Sequence, residues 1–358
     1  MAAVVGIAEL RRPGGYVVQV LAVAALYYGS ARLGLLRELS VGSAVFTPIY
    51  PPTGVSVAAL LILGIGCWPG ITLGALALIL TISPPGPDLV GILFGNTAAP
   101  VCAAILLHWA RFRPDLGRFR DGLALVFLGA LAAMTISATV GVGMLVLTDK
   151  LAVHAFWPVW LAWWVGDAMG VLLVTPLLLM LGRLRRPLHL GRWREATALT
   201  VITCVLVPLA TYSSISLLFL VYPLIIWAAL RFQLAGAVLC ALFTSVMATI
   251  AATDGSGAFQ GLSPVEIMAK LQAFNGTMAL TALLMSALIT EQRNTRRSVE
   301  RACQELVEVL EHLTAGDVPL PRPQTDTDAD GTADADRTGD SDRTGDGDGT
   351  GGRSSPAP

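Results

Sequence analysis

Long apolar stretches separated by short polar connections fill the chain as far as residue 290. A helix needs about 20 mostly apolar residues to cross the hydrocarbon core of a bilayer. On that measure the pattern predicts about ten spans, at residues 15–36, 51–66, 67–83, 88–110, 121–147, 155–182, 196–212, 214–230, 233–253 and 266–290. The expected fold is an all-α, polytopic helical bundle in the lipid bilayer, followed by a disordered C-terminal tail.

The second and third stretches leave the helix count open. Both are short, and only the region from Gly64 to Pro69 separates them. The segment before them contains Pro48, Pro51 and Pro52, and a proline inside a helix removes a hydrogen bond and clashes with the preceding turn. A re-entrant hairpin here would reduce the count to eight without changing the orientation of the other spans.

Composition indicates a membrane protein, and the distribution of charged residues predicts the orientation of its spans in the bilayer. Hydrophobic residues make up 54% of the chain and charged residues 14%, with a mean hydropathy of +0.67, whereas soluble domains carry about 25% charged residues. Arginine and lysine in short loops collect on the cytoplasmic side of a membrane. The predicted spans place most arginines on one side, namely Arg11, Arg12, Arg111, Arg113, Arg118, Arg120, Arg183, Arg185, Arg186, Arg192, Arg194, Arg231, Arg293, Arg296 and Arg297. Both termini are therefore expected in the cytoplasm, with residues 1–14 as the N-terminal segment and residues 15–290 as the membrane domain.

One carboxylate, Asp167, lies inside an apolar stretch long enough to span the bilayer. An acid near the bilayer centre costs at least about 2.5–3.5 kcal/mol, so such residues usually face the bundle interior and mark a functional or a paired structural position. Trp160, Trp163 and Trp164 precede it at spacings that place all four on roughly one helix face. This face is the first candidate for a ligand-binding or switch site.

The other polar residues within the spans include Asn96, Asn275, Thr135 and Ser137. Polar side chains in membrane helices often hydrogen-bond between helices for about 0.6 kcal/mol. Asn96 is the expected partner of Asp167, because no basic residue lies deep in a predicted span. Asn96 and Asn275 complete the set of candidate site residues.

Patterns for catalysis and metal binding are missing from the sequence. It contains no Walker loop, no nucleophile elbow, no zinc-protease motif and no kinase or cyclase signature. The cysteines are scattered singly, without metal-ligand spacing. The chain is therefore not expected to be an enzyme, to bind a cofactor or metal, or to recognise nucleic acid.

The C-terminal part begins with a polar, helix-favouring segment over residues 291–316. Apolar residues recur at steps of four and three, as in a coiled coil, at Val299, Cys303, Leu306, Leu310 and Leu313, which we call the seam. The seam predicts either a homodimer contact or an amphipathic cap on the membrane domain. Residues 317–358 are rich in Asp, Gly and Thr and are expected to form a disordered acidic tail.

Three segments resemble the first family of bacterial membrane-associated sensor domains, MASE type one. They begin PPTGVSVAALLILG at Pro51, FGNTAAP at Phe94 and WLAWWVGDAMG at Trp160, and the exit helix FNGTMALTALLMSALITEQR follows. The resemblance covers roughly residues 15–300 and implies an input module in the bacterial inner membrane. Members of the family are usually attached to a histidine kinase, a diguanylate cyclase or a phosphodiesterase.

Here a short acidic tail follows the exit helix in place of a catalytic domain. The chain is expected to be either a stand-alone sensor, acting on a histidine kinase, diguanylate cyclase or response regulator, or a remnant of a truncated kinase. A small-solute transporter or permease is the alternative, suggested by the proline-broken segment and the intramembrane carboxylate. A passive scaffold is a third interpretation, in which Asp167 would be dispensable.

Overall fold

The computed structural model describes residues 13–36, 39–41, 44–182, 193–213 and 217–316. Its helices are α1 (Pro13–Gly34), α2 (Pro51–Leu63), α3 (Trp68–Ile82), α4 (Asp88–Trp109), α5 (Phe119–Ala124), α6 (Ala133–Leu147), α7 (Phe156–Leu181), α8 (Trp193–Tyr212), α9 (Val221–Thr253) and α10 (Pro264–Gly316). A π-helical segment, Leu125–Ala132, joins α5 to α6. Two three-residue strands, β1 (Leu39–Val41) and β2 (Ala44–Phe46), pair antiparallel between α1 and α2.

Within the described part of the chain, eight helical stretches are long and apolar enough to cross a membrane. The helix α2 is apolar too, but at 13 residues it is shorter than a full span. The all-α, polytopic membrane fold predicted from the hydrophobic pattern is confirmed. The expected N-terminal segment and the acidic tail lie outside the described residues, except for the first residues of α1.

The helix α9 reverses direction near its middle. Gln233 has non-helical backbone angles, with φ of 55° and ψ of −138°. A Cβ placed on Gly236 would lie 2.9 Å from the carbonyl oxygen of Ala228. Eight residues of straight helix would separate these positions by about 12 Å. The two halves of α9 therefore fold back on each other, so that the single long stretch contains two helices, close to the predicted spans at 214–230 and 233–253.

Polar contacts gather several helix ends on one side of the bundle. The Phe119 amide donates to Glu291 Oε2 at 2.9 Å, and the Arg293 guanidinium donates to the carbonyl oxygen of Leu230. Arg231 also forms an ion pair with Glu195. These residues flank several of the arginine-bearing connections, so we call this side the arginine end.

The opposite side of the bundle, the far end, has its own polar links. Lys150 Nζ lies 2.6 Å from Asp88 Oδ1, which joins the start of α4 to the turn after α6. Lys270 Nζ donates to the carbonyl oxygen of Ala258 at 2.5 Å. Gln272 Nε2 donates to the carbonyl oxygen of Pro48 at 3.3 Å, which links α10 to the segment before α2.

The helices α2 and α7 run side by side in the same direction and pack very closely. A Cβ on Gly170 would overlap the carbonyl oxygen of Tyr50, and one on Gly54 would overlap the carbonyl oxygen of Gly170. The Thr175 hydroxyl donates to the carbonyl oxygen of Gly54 at 3.0 Å. Small residues allow such backbone approach in membranes, where van der Waals packing supplies much of the attraction between helices.

Contacts divide the chain into two units, one ending at Ala302 and one beginning at Cys303. The first unit contains the whole hydrophobic core. Its final helix, α10, begins with a reciprocal cap. The Ser263 amide and hydroxyl donate to Glu266 Oε2 at 2.8 and 2.7 Å, and the Glu266 amide donates to Ser263 Oγ at 3.4 Å. The described part of the second unit, 303–316, is helical, and its seam residues Cys303, Leu306 and Leu310 are exposed.

Candidate functional site

Asp167 lies in the middle of α7 and is only 1% exposed. The Thr53 hydroxyl, in the first turn of α2, donates to Asp167 Oδ1 at 2.6 Å. The other carboxylate oxygen, Oδ2, is buried and accepts no hydrogen bond in the structure. A buried acceptor without a partner is costly. A hydrogen bond from a ligand, a proton or a moving donor would therefore lower the free energy most at this oxygen.

A chain of hydrogen bonds connects three of the helices around the carboxylate. The Trp163 indole Nε1 donates to Ser137 Oγ at 3.1 Å, and the Ser137 hydroxyl donates to Asn96 Oδ1 at 3.2 Å. Ser137 and Trp163 also lie close enough to Asp167 to interact with its charge. Asn96, the expected partner of Asp167, makes no direct hydrogen bond to the carboxylate and joins the same group through Ser137.

A cavity of about 340 Å³ opens beside this group. Asp167, Trp163 and Asn96 are among its lining residues, and the remaining polar lining comes from Thr47, Tyr50 and Ser83. The rest of the wall is mainly aliphatic, from Leu35, Leu78, Ile79, Ile82, Ile92, Ala162 and Gly166. The arrangement can therefore hold a small, largely apolar molecule with one polar group directed at Asp167.

The other two tryptophans are not among the residues that line the cavity. Trp160 Nε1 donates to Thr139 Oγ1 at 3.0 Å, and Trp164 Nε1 donates to the carbonyl oxygen of Leu131 at 2.8 Å. Their rings are stacked, with centroids 5.6 Å apart. Of the three tryptophans, only Trp163 lines the cavity with Asp167, so a role of Trp160 and Trp164 in the site stays a prediction.

The Leu131 carbonyl that accepts from Trp164 lies in the π-helical segment before α6. A π-helix shifts the backbone hydrogen-bond register and is often found at functional positions. Here it places a carbonyl oxygen where the indole of α7 can reach it. Local backbone geometry thus contributes to the orientation of α7.

Asn275 occupies a different place from the cavity. It is fully buried on α10, and neither its Oδ1 nor its Nδ2 has a hydrogen-bond partner in the structure. Gln272, one turn earlier, has a similarly unpartnered Oε1. The structure therefore places Asn275 among buried polar groups of α10 and does not bring it to Asp167.

Sequence reasoning did not single out Thr53, Tyr50 or Thr47. Thr53 lies just after Pro51 and Pro52, which begin α2, so its hydroxyl is held at a fixed helix start. The sequence does show a polar residue, Thr53, beside the prolines of this segment. The prolines alone, however, indicate only an interruption of the second span. Tyr50 and Thr47 become part of the site because their backbone lies against Gly170 and Gly166.

The geometry defines a helical membrane domain with a carboxylate-bearing cavity, and among the residues with described positions no His, Cys, Asp or Glu cluster could hold a metal ion. The MASE1 family model matches residues 19–293, so the chain belongs to the MASE1 family of membrane sensor domains. No curated protein and no solved structure matches the chain. The protein is a multi-pass membrane protein, and no catalytic domain is detected in the sequence.

Proposed function

We propose that this MASE1 domain is the input module of a bacterial inner-membrane signalling system, and that its stimulus acts at the cavity beside Asp167. The observation that supports this most directly is that Asp167, whose buried Oδ2 has no hydrogen-bond partner, is one of the residues that line that cavity. A buried polar group without a partner is destabilising, and Asp121 and Glu195 also each have one such oxygen. Of these three acids, Asp167 alone lines this cavity. The cavity is therefore proposed to be a site that a ligand or a proton occupies in one state and leaves in another.

The helix α10 is in a position to respond to this site. Ala162 lines the cavity and also a neighbouring apolar depression formed with Met268 and Gln272 of α10. Gln272 also contacts the carbonyl of Pro48, just before the cavity residue Tyr50. A shift of α7 or of the segment before α2 would therefore alter the packing of the first turns of α10, which within the first unit is helical as far as Ala302.

With the arginine end in the cytoplasm, α10 would run from the outer side inwards. The proposal is that it conveys the shift to a histidine kinase, diguanylate cyclase or response regulator, or to a second copy of the chain. Movement of a packed helix by 1–2 Å is a common way to transmit a signal. The termini would both lie in the cytoplasm of the bacterial cell.

The decisive experiment is crosslinking and capture of the tagged protein from native membranes, with the full chain compared with a chain ending at Glu291. A kinase, cyclase or response regulator captured by the full chain alone supports output through the exit helix. Equal capture by both chains contradicts that route. Asp167→Asn should change signalling in the captured system while the protein stays inserted and abundant.

Asp121→Asn is the matched control, because Asp121 is also a buried acid of a spanning stretch but accepts from the Arg113 amide at the arginine end. It should leave signalling unchanged. If Asp167→Asn instead removes the protein from the membrane and Asp121→Asn does not, the carboxylate has a structural role and the proposal fails.

A small-solute transporter is the second candidate function. It is favoured by the proline-started helix α2, which is shorter than a full span, and by the intramembrane carboxylate, since transporters often form their sites from interrupted helices near the midplane. A solute-dependent proton flux in sealed vesicles, abolished by Asp167→Asn, would support it. A flux equal to that of protein-free vesicles would leave the sensor as the explanation.

A further inference from the structure

The charge on Asp167 has no counter-ion among the described residues that line its cavity. The lining contains a single carboxylate and no Lys, Arg or His. The nearby Lys150 is already paired with Asp88 at 2.6 Å. With only these described lining residues, the carboxylate would be neutralised by a proton or by a cation that enters the cavity, because an isolated charge in an apolar medium is very unfavourable.

The wall is better suited to an organic cation than to a hydrated inorganic one. Small metal ions require several oxygen ligands, whereas the polar lining offers only a few scattered groups and is outweighed by aliphatic side chains. Two aromatic residues, Tyr50 and Trp163, complete the wall. Aromatic rings attract alkylammonium groups through cation–π interactions, while the aliphatic side chains would cover an apolar body.

We infer that the cavity binds a small alkylammonium compound, with its ammonium group on the Asp167 carboxylate and its apolar body against Leu78, Ile79 and Ile92. This inference rests on the proposed function, in which the same cavity receives the stimulus, and it names the chemical class of that stimulus. The volume of about 340 Å³ is large enough for a compound with one aromatic ring.

The proposal places the entrance to the cavity at the far end of the bundle. Ile82, at the end of α3, lines the cavity and is 56% exposed, and Ser83 beyond it is half-buried. With the arginine end in the cytoplasm, this opening faces the outer side of the membrane. The alkylammonium group could then come from a free amine or from the headgroup of a phosphatidylethanolamine lipid.

The test compares three compounds that share a benzyl group and differ in their polar head group. They are phenethylamine, 2-phenylethanol and phenylacetate. Binding to the purified full chain in nanodiscs is measured by tryptophan fluorescence and by the shift in unfolding temperature. We expect phenethylamine to bind at least about tenfold more tightly than the alcohol, because its ammonium makes a charge-assisted hydrogen bond, and we expect phenylacetate not to bind.

Asp167→Asn should abolish the preference for the amine over the alcohol, and Asp121→Asn should retain it. Ile92→Trp, which fills the cavity and keeps the carboxylate, should weaken binding of the amine even if Asp167→Asn is unstable. Equal binding of amine and alcohol by the unmodified protein, or no amine binding up to millimolar concentration, overturns the inference. An amine preference that persists in Asp167→Asn overturns it as well.

Nanodiscs of phosphatidylglycerol alone and of a mixture with phosphatidylethanolamine distinguish the two sources of the ammonium group. Competition by phosphatidylethanolamine supports the lipid headgroup, and equal amine affinity in both lipids supports a free amine. The proposed function is tested separately: loss of partner response in Asp167→Asn without any amine binding would leave the sensor role in place and remove only this ligand class.

Discussion

At the scale of single residues, the shortest hydrogen bond to Asp167 comes from the neighbouring helix α2. Thr53 supplies the donor at 2.6 Å, and Oδ2 is left free. Hydrogen bonds to a charged group contribute about 1.5–3 kcal/mol, and losing the donor leaves the carboxylate with an even larger desolvation cost. Thr53 is therefore expected to stabilise the contact between α2 and α7 more than its size suggests.

Thr53→Val tests this directly, because it removes the hydroxyl and keeps the shape of the side chain. We expect the free energy of unfolding in detergent to fall by about 1–3 kcal/mol. Thr197→Val is the control, since Thr197 is exposed and donates only within its own helix to Trp193. In the double variant with Asp167→Asn the two effects should not add. Full additivity would show that Thr53 stabilises the helix pair by some other contact.

The residues of the site differ in how far the sequence could predict them. Asp167, Trp163 and Asn96 stand out in the sequence because a polar group within an apolar span is costly to bury. The structure places all three at one cavity. Thr53 and Tyr50 did not stand out, because threonine and tyrosine are common near helix starts in membranes. Their role depends on which helix packs against α7, and hydrophobic periodicity does not encode that choice.

At the scale of helices, the pair α2 and α7 determines whether the cavity exists. Their backbones meet at Gly54 and Gly170, where a methyl group would overlap a carbonyl oxygen. Hydroxyls from Thr53 and Thr175 cross the same contact in opposite directions. The pair is therefore rigid at its closest point and offers little room for adjustment.

Gly170→Ala is expected to destabilise the protein by about 1–3 kcal/mol, the usual cost of overpacking, and to weaken binding at the cavity. Gly143→Ala is the matched control within a helix, because a Cβ there meets nothing within 4 Å. That change should be neutral or stabilising by up to about 1 kcal/mol, since alanine favours helices over glycine. Equal thermal shifts for both variants would contradict the close packing of α2 and α7.

The seam makes a separate prediction for the end of α10. If two copies pair through it in parallel, their Cys303 side chains meet at equivalent positions. Mild oxidation of membranes should then give a disulfide-linked dimer on non-reducing gels, and Cys303→Ser should remove it. Cys204 is also exposed, so Cys204→Ser serves as the control and should leave the dimer intact. A dimer that depends on Cys204 alone would argue against pairing through the seam.

The helices themselves were largely predictable, because hydrophobic length is a direct consequence of bilayer thickness. The span predicted at 155–182 differs from α7 by only a residue at each end. The boundary between 230 and 233 was also found, since the charged Arg231 interrupts two apolar runs. What could not be predicted is the π-helical segment, which depends on contacts such as the one from Trp164.

At the scale of the whole molecule, the positions of the helix ends show whether α9 crosses the membrane once or twice. A single straight helix would put Phe219 and Asp254 on opposite sides of the membrane. The reversal at Gln233 puts them on the same side, with Arg231 on the other. The arginine end and the far end are defined by contacts that agree with the second arrangement.

Cysteine labelling in a background without the native cysteines checks this topology. Phe219→Cys and Asp254→Cys should react with an impermeant maleimide added outside intact cells, whereas Arg231→Cys should react only after the cells are opened. The physical reason is that α9 enters and leaves from the far end, and arginine-rich loops are retained in the cytoplasm. Labelling of Phe219→Cys and Asp254→Cys from opposite sides would mean that α9 crosses once. The α10 helix would then begin on the cytoplasmic side, and the direction proposed for the signal would be reversed.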